Sequence, residues 1–526
     1  MVVNSSRWLA ALLSLGMAFC LWGQPLTAQT KPARLGIFEG QTDVGSVRPP
    51  GRAVYDAAKG TYTITAAGAN IWSTEDGFHF LWTKASGDVS LAADIRFAES
   101  SGSHSPYRKA VLMLRQSLDA DGVYADAARH GSGMTALQYR RAKGAATEDI
   151  ELNVGSPERL KIEKRGDLIT MLLSMHGEPL HPVGASIKLH LEEPFYAGIG
   201  VSAHNQNRSE TAVFSQVELK TLPPQTAGGT ALYSTLETIG IGADRGRAVA
   251  VYSRRALFEA PNWSPDGKYL LFDGEGRIWK MPVAGGTPTA LDIGQASHCN
   301  GSHGFSPDGK WLAISCSTPG RPGSRVYVVP AAGGSPRVVT ENPNSYWHSW
   351  SPDGKTIIFT RPQKGGAINI YSIPAEGGAE RALTTGTGTN DDPNYSPDGK
   401  YIYFNSDRSG HMQIWRMHPD GSHAEQITSD ERANWTAHPS PDGKWIVYIS
   451  YDKGVTGHPA NKEIELRLIS LSDKNGSTLV KLTGGSGTMN VPSWSPDSLH
   501  LAFVSYQFLP VPEGAAGKEA IGGTTE

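Results

Sequence analysis

His303 and His348 stand 45 residues apart, each five residues ahead of an aspartate that opens the same kind of tight turn. Glu259, Asp391 and Asn490 stand seven residues ahead of their own copies of that aspartate. Side chains on an extended strand repeat every two residues, so both offsets point to one face if the strands are regular. Imidazoles from neighbouring repeats, with a carboxylate as third donor, form a ligand set suited to a divalent metal. His303, His348, Asp391 and His438 are therefore the candidates for catalysis, with His303 and His348 as candidate metal ligands. A wider set lies at equivalent places and is a candidate for ligand binding: Glu259 and Asn262, then His298 and Asn300, then Tyr346 and Trp347, then Asp392, then Asn434 and Trp435. His458 joins it from the insertion Asp452 to Lys462. Trp347 and Trp435 fall outside the repeated aromatic position, which makes them the tryptophans expected to stack on a ligand. The bland alternative is a solvated mouth, whose loops are polar in any case.

The offsets are set by six copies of one motif. Ser264-Pro-Asp-Gly-Lys268 recurs at Ser306, Ser351, Ser396 and Ser440, with a degenerate Ser495-Pro-Asp-Ser498. The aspartates are spaced by 42, 45, 45, 44 and 55 residues, a propeller-blade period. Proline presets φ at the first central turn position, and Asp and Gly supply the rest of the turn chemistry. An alternating strand such as Lys355 to Thr360 follows each turn, then a third strand such as Ile368 to Ile373, a Gly-rich turn and a fourth strand. Six four-stranded blades are predicted. After Asp497 only Leu501 to Tyr506 reads as a good strand, so Ala231 to Gly240 and Arg247 to Ser253 are expected to complete the last blade. Closure of that kind removes sheet edges.

The pattern xWSPDGKxIxF…IYxxPxxGGxxRxLT resembles the repeats of TolB-like (WD40-like, PD40) β-propellers over about 230–507. The family resemblance implies a binding role in the cell envelope. TolB itself carries an α/β domain before its propeller, whereas residues 30–222 here read as all-β, so a role in the Tol–Pal system does not simply transfer. The stretch Gly68 to Phe80 with Lys109 to Arg115 resembles concanavalin-like (laminin-G-like) sandwiches, which implies a jelly-roll β-sandwich and a link to glycans. The fold class is thus all-β, a sandwich followed by a six-bladed propeller. The domain reading is 1–28 signal peptide, 30–222 sandwich, 223–230 linker, 231–507 propeller and 508–526 flexible tail.

Arg7 followed by the apolar run Trp8 to Trp22 and a small residue at Ala28 reads as a secretory signal. The run is shorter than a bilayer span, so no transmembrane segment is expected in the mature protein, which should be periplasmic or secreted. Cys299 and Cys316 then remain, flanking the turn at Pro307 to Gly309, as a candidate disulfide in an oxidising compartment. Lys+Arg 48 against Asp+Glu 51 excludes a generic nucleic-acid binder. No G-x-S-x-G, H-E-x-x-H, Walker or dinucleotide fingerprint is present, so no cofactor is assigned beyond the divalent metal. The resulting expectation is non-covalent binding of an envelope protein or a glycan at the propeller mouth. A metal-assisted glycan lyase or hydrolase using the His/Asp set is the alternative.

Overall fold

A computed structural model describes residues 34–98, 104–152, 156–174, 180–223, 230–242, 248–472, 476–510 and 521. The expected signal peptide, most of the expected linker and most of the expected tail lie outside these residues. Every regular element among the described residues is a β-strand, and no helix is long and apolar enough to cross a membrane.

The N-terminal unit is built from two sheets. One has seven strands, from His181–Lys188 at one edge to Arg52–Asp56 at the other, with Val89–Phe97 in the centre. The second begins with Gly40–Val44 and Phe78–Ala85 and runs across to Glu148–Leu152. Alternation along the strands sends Leu91, Ile162 and Phe214 from the first sheet and Leu112, Ala127 and Ile199 from the second into one shared core.

Five four-stranded blades follow, each a simple antiparallel meander that starts with Phe258–Trp263, His303–Phe305, Tyr346–Trp350, Asn390–Tyr395 or Ala433–Pro439. Each turn motif is held by the same bonds. In the third copy Ser351 Oγ donates to Asp353 Oδ1 at 2.6 Å, Lys355 N donates to the same oxygen at 3.1 Å, and Thr356 N donates to Ser351 Oγ at 2.9 Å. The turn glycine has φ near +70° in all five, a region that costs other residues a Cβ clash. Aromatic side chains tie blade to blade: Trp350 Nε1 donates to Gly304 O at 3.1 Å, and Trp494 Nε1 to His438 O at 2.9 Å.

The structure corrects the expected count of six blades to five. The sixth repeat does not make a four-stranded sheet of its own. Ser498 holds the turn at φ 62° in place of glycine, and Trp494 makes only an isolated bridge to Leu501 where an innermost strand would run. The gap between the fifth and first blades is filled by three strands in which the two ends of the segment pair: His500–Pro510 lies antiparallel to Thr230–Gly240, which lies antiparallel to Ala248–Arg254. Ala248–Arg254 then runs parallel to Glu148–Leu152, so this sector continues the second N-terminal sheet into a single ten-stranded sheet. The expected boundaries shift accordingly: Phe508 and Leu509 are paired within the last strand rather than part of a tail.

Candidate functional site

From the second blade to the fifth, the first strands of successive blades lie against one another around the centre of the propeller, and that of the first blade lies against His500–Pro510. Along these strands the regular alternation breaks. Asp391 pairs with Asn405 but Asn394 with Tyr403, so the inner strand of the fourth blade carries one residue more than its partner. The same bulge separates Glu259 from Asn262, Trp347 from Ser349 and Trp435 from His438. Ala260, Asp392 and Thr436 take the positive φ that such bulges use.

The bulge decides which candidates meet. His348 is the extra residue of its strand, whereas His303 sits in plain register opposite Ile314 on a strand without a bulge. The two histidines share an offset but not a direction, and the expected His303–His348 ligand pair is not formed. Instead His348 meets two carboxylates of the next blade. Nε2 lies 3.6 Å from Asp391 Oδ1, Nδ1 lies 3.4 Å from Asp392 Oδ1, and one ligand atom from each of the three residues falls within 4.8 Å of the others. Thr360 Oγ1 is 3.0 Å from His348 Nε2. Asp392 is held from the far side by Asn405 Nδ2 at 2.8 Å and Thr436 Oγ1 at 3.3 Å. Burial, reinforced by the Asp391 carboxylate and opposed by His348, pushes Asp392 up to about 7. His438 lies near His348, fully buried and with neither ring nitrogen hydrogen-bonded among the described residues; burial and the neighbouring His348 push it down to about 3. His303 is likewise enclosed, and burial holds it at about 4.

The other candidates are dispersed. Asn434 is occupied by Gln413, Asp430 and Ser450, and Asn262 donates to Pro492 O at 2.5 Å. Asn300 donates to Ser324 Oγ at 3.3 Å, Asn490 Oδ1 accepts from Gly487 N at 3.0 Å, and His298 is exposed beside Ser297. Glu259 and Tyr346 are half-buried. Trp347 is 2% exposed and packs on Gly304, and Trp435 is 4% exposed with His458 edge-on at 4.6 Å. Neither tryptophan offers a free face, because the bulge turns both into the packing between blades; this corrects their reading as stacking platforms. Cys299 and Cys316 are joined by a disulfide. A cavity of about 1440 Å³ lies between the N-terminal unit and the propeller, lined by Trp72, Tyr107, Gln138, Glu237 and Phe508 among others, rather than at the expected mouth.

Sequence reasoning missed a second set of central side chains, from the second strand of each of the first four blades. Asp273, Ser315, Thr360 and Asn405 each stand seven residues after the turn aspartate, polar residues inside otherwise apolar strands. Ser315 Oγ accepts from Trp347 N at 2.8 Å and Asn405 Oδ1 from Thr436 N at 3.0 Å, so they satisfy the backbone that the bulge frees. The repeated polar position was the signal.

Known proteins resemble the C-terminal half. The family model for the TolB beta propeller domain matches residues 348–467. An uncharacterized protein of Agrobacterium fabrum is 46% identical over 285 residues, covering 53% of this chain and 95% of that protein. A solved structure from Agrobacterium tumefaciens, provisionally described as TolB, is 44% identical with a TM-score of 0.50, covering 54% of this chain and all of the other. TolB of Acinetobacter baumannii aligns at 19% identity and a TM-score of 0.38, over 61% of this chain and 79% of its own.

Proposed function

From the premise that this chain belongs, through its C-terminal half, to the TolB β-propeller family, we propose that it is an exported protein of the cell envelope that works by non-covalent binding. Its ligand is a protein or a glycan, taken at the centre of the propeller with a divalent metal ion as anchor. In this reading the N-terminal unit is a concanavalin-like module that supports the same task. The observation that carries the proposal is the group His348, Asp391 and Asp392, whose ligand atoms lie within 4.8 Å of one another across two blades. An imidazole and two carboxylates suit zinc or manganese better than calcium. Ligand recognition would then exploit the ion's charge, which the buried carboxylates alone cannot offer.

A second reading is favoured by one further observation. Asp392, pushed up to about 7, stands at the pKa that suits a general acid or base at neutral pH, beside the same histidine. A metal-assisted lyase or hydrolase of glycans would place it there.

Calorimetric titration of the purified protein with Zn²⁺ and Mn²⁺ tests both readings, followed by glycan arrays and envelope pull-downs with and without metal. One equivalent bound by wild type and lost in His348→Ala and Asp391→Asn supports the site, and metal-dependent turnover of a retained glycan selects the enzyme. Absence of binding by either ion, with ligand capture unchanged by the substitutions, refutes the metal-anchored mouth.

A further inference from the structure

A second acidic centre lies where the first blade meets the closing strand, and it involves none of the residues of the His348 group. Glu259 and Asp273 are directly paired across the first two strands of the first blade. Tyr506 reaches the same place from His500–Pro510, and Gly487 from the loop before the sixth repeat. A Cβ on Gly487 would stand 2.1 Å from Glu259 Oε2 and 2.4 Å from Tyr506 Oη, so carboxylate and hydroxyl converge on the one point that glycine leaves empty. Gly487 is itself pinned there, its carbonyl accepting from Ala260 N at 2.7 Å and its N–H donating to Asn490.

Two further facts point to something missing between these oxygens. Tyr506 is 1% exposed and its hydroxyl has no hydrogen-bond partner among the described residues; the same holds for Asp273 Oδ1. Among the described residues no basic side chain acts on either carboxylate. Burial raises Glu259, and burial with the Glu259 charge raises Asp273 well above the usual carboxylate range. Two carboxylates facing each other without a counter-charge must share a proton or hold a cation.

We propose that Glu259, Asp273 and Tyr506 form a cation site for a hard divalent ion of the calcium type, which ties the first blade to the closing strand. The donors are all oxygen, the preference of Ca²⁺ and Mg²⁺, and no nitrogen or sulfur ligand is present to favour zinc. Glu259 is only half-buried, so the site is not sealed from solvent. Because the site joins residues from the two ends of the propeller segment, the ion stabilises the closed ring, and its removal loosens the last strand first.

The test is a thermal and calorimetric titration of chelator-treated full-length protein with Ca²⁺, with terbium emission excited through tyrosine as a local probe. Wild type is expected to bind one equivalent and to melt several degrees higher in saturating calcium. Glu259→Gln and Asp273→Asn should each lose that rise, and Tyr506→Phe should cut sensitised terbium emission at least fivefold while the protein stays folded. His348→Ala should leave all three readouts unchanged, which separates this site from the metal-anchored mouth. The proposal is overturned if millimolar calcium shifts neither melting nor terbium emission. It is equally overturned if the shift survives in both Glu259→Gln and Asp273→Asn. Asn and Gln variants that outlast wild type in the absence of calcium, together with no calcium response, would identify a shared proton instead.

Discussion

Asp76 in the N-terminal sheets and the Asp391–Asp392 pair in the propeller are both buried carboxylate centres, and their surroundings are opposite. Asp76 and its partners Arg115 and Arg140 are completely enclosed, with Arg140 bidentate at 2.8 and 2.9 Å and Arg115 at 3.4 Å. Arg140 spends its remaining donors on Ser73 O, Gly122 O and Ala145 O. One negative charge is thus matched by two positive ones, each anchored to backbone. In the propeller two carboxylates share one imidazole, and no arginine or lysine is paired with either among the described residues. Asp126, on the same sheet as Arg115, shows a third arrangement: neither of its oxygens is hydrogen-bonded among the described residues, and burial raises it well above the usual carboxylate range. A buried acid that is fully matched holds a fold together, and one left short of positive charge is open to a ligand.

The largest effect should come from breaking the matched centre. Arg140→Met should cost about 3–5 kcal/mol in urea unfolding, because it leaves the enclosed Asp76 with only the 3.4 Å contact of Arg115. Asp391→Asn should cost far less; equal losses would erase the contrast. Next, Asp392→Asn should stabilise the protein. With its folded pKa near 7 and an unfolded value near 4, the acid is protonated in the folded state between those limits, so stability falls as pH rises through that window. The gain should reach about 4 kcal/mol at pH 8, vanish below pH 4, and shrink when zinc is bound. His303 gives the opposite slope. Its folded pKa is about 4, so the unfolded chain takes up a proton first and stability falls as pH drops from about 6.5 towards 4. His303→Gln should flatten that limb by about 3 kcal/mol, read from melting against pH. The smallest effect belongs to an exposed turn: Asp353→Ala removes two hydrogen bonds at the surface and should cost about 1 kcal/mol with no pH signature above 5.

The sequence made the propeller legible because its turn chemistry is local. Ser, Pro, Asp and Gly act within five residues, and their repetition needs no tertiary knowledge. The pairing of the two ends was legible too, from the strands left over after counting. The blade count was not, since it turned on whether the degenerate sixth repeat could hold an inner strand, and Ser498 at a glycine position was read as a weak copy rather than as a break. The candidate site was half legible. His348 and Asp391 stand at the repeated offsets and Asp392 belongs to the wider polar set beside them, but the direction of each side chain depends on a bulge, and a single positive φ at Asp392 or Thr436 is not written in residue type. Trp347 and Trp435 failed for the same reason. The partners at Asp273, Thr360 and Asn405 stand in a polar column seven residues past the first four turn aspartates, on the far side of the turn from the offsets that pointed to the site.

The closing strand carries a consequence for biosynthesis. Thr230–Gly240 is made roughly 260 residues before its partner His500–Pro510 exists. The five intervening blades can form as they emerge, but the ring remains open, with Thr230–Gly240 lacking its partner strand, until the last repeat has been made. A chaperone that shields such an edge during synthesis would therefore act on this protein in the interval that its own topology sets.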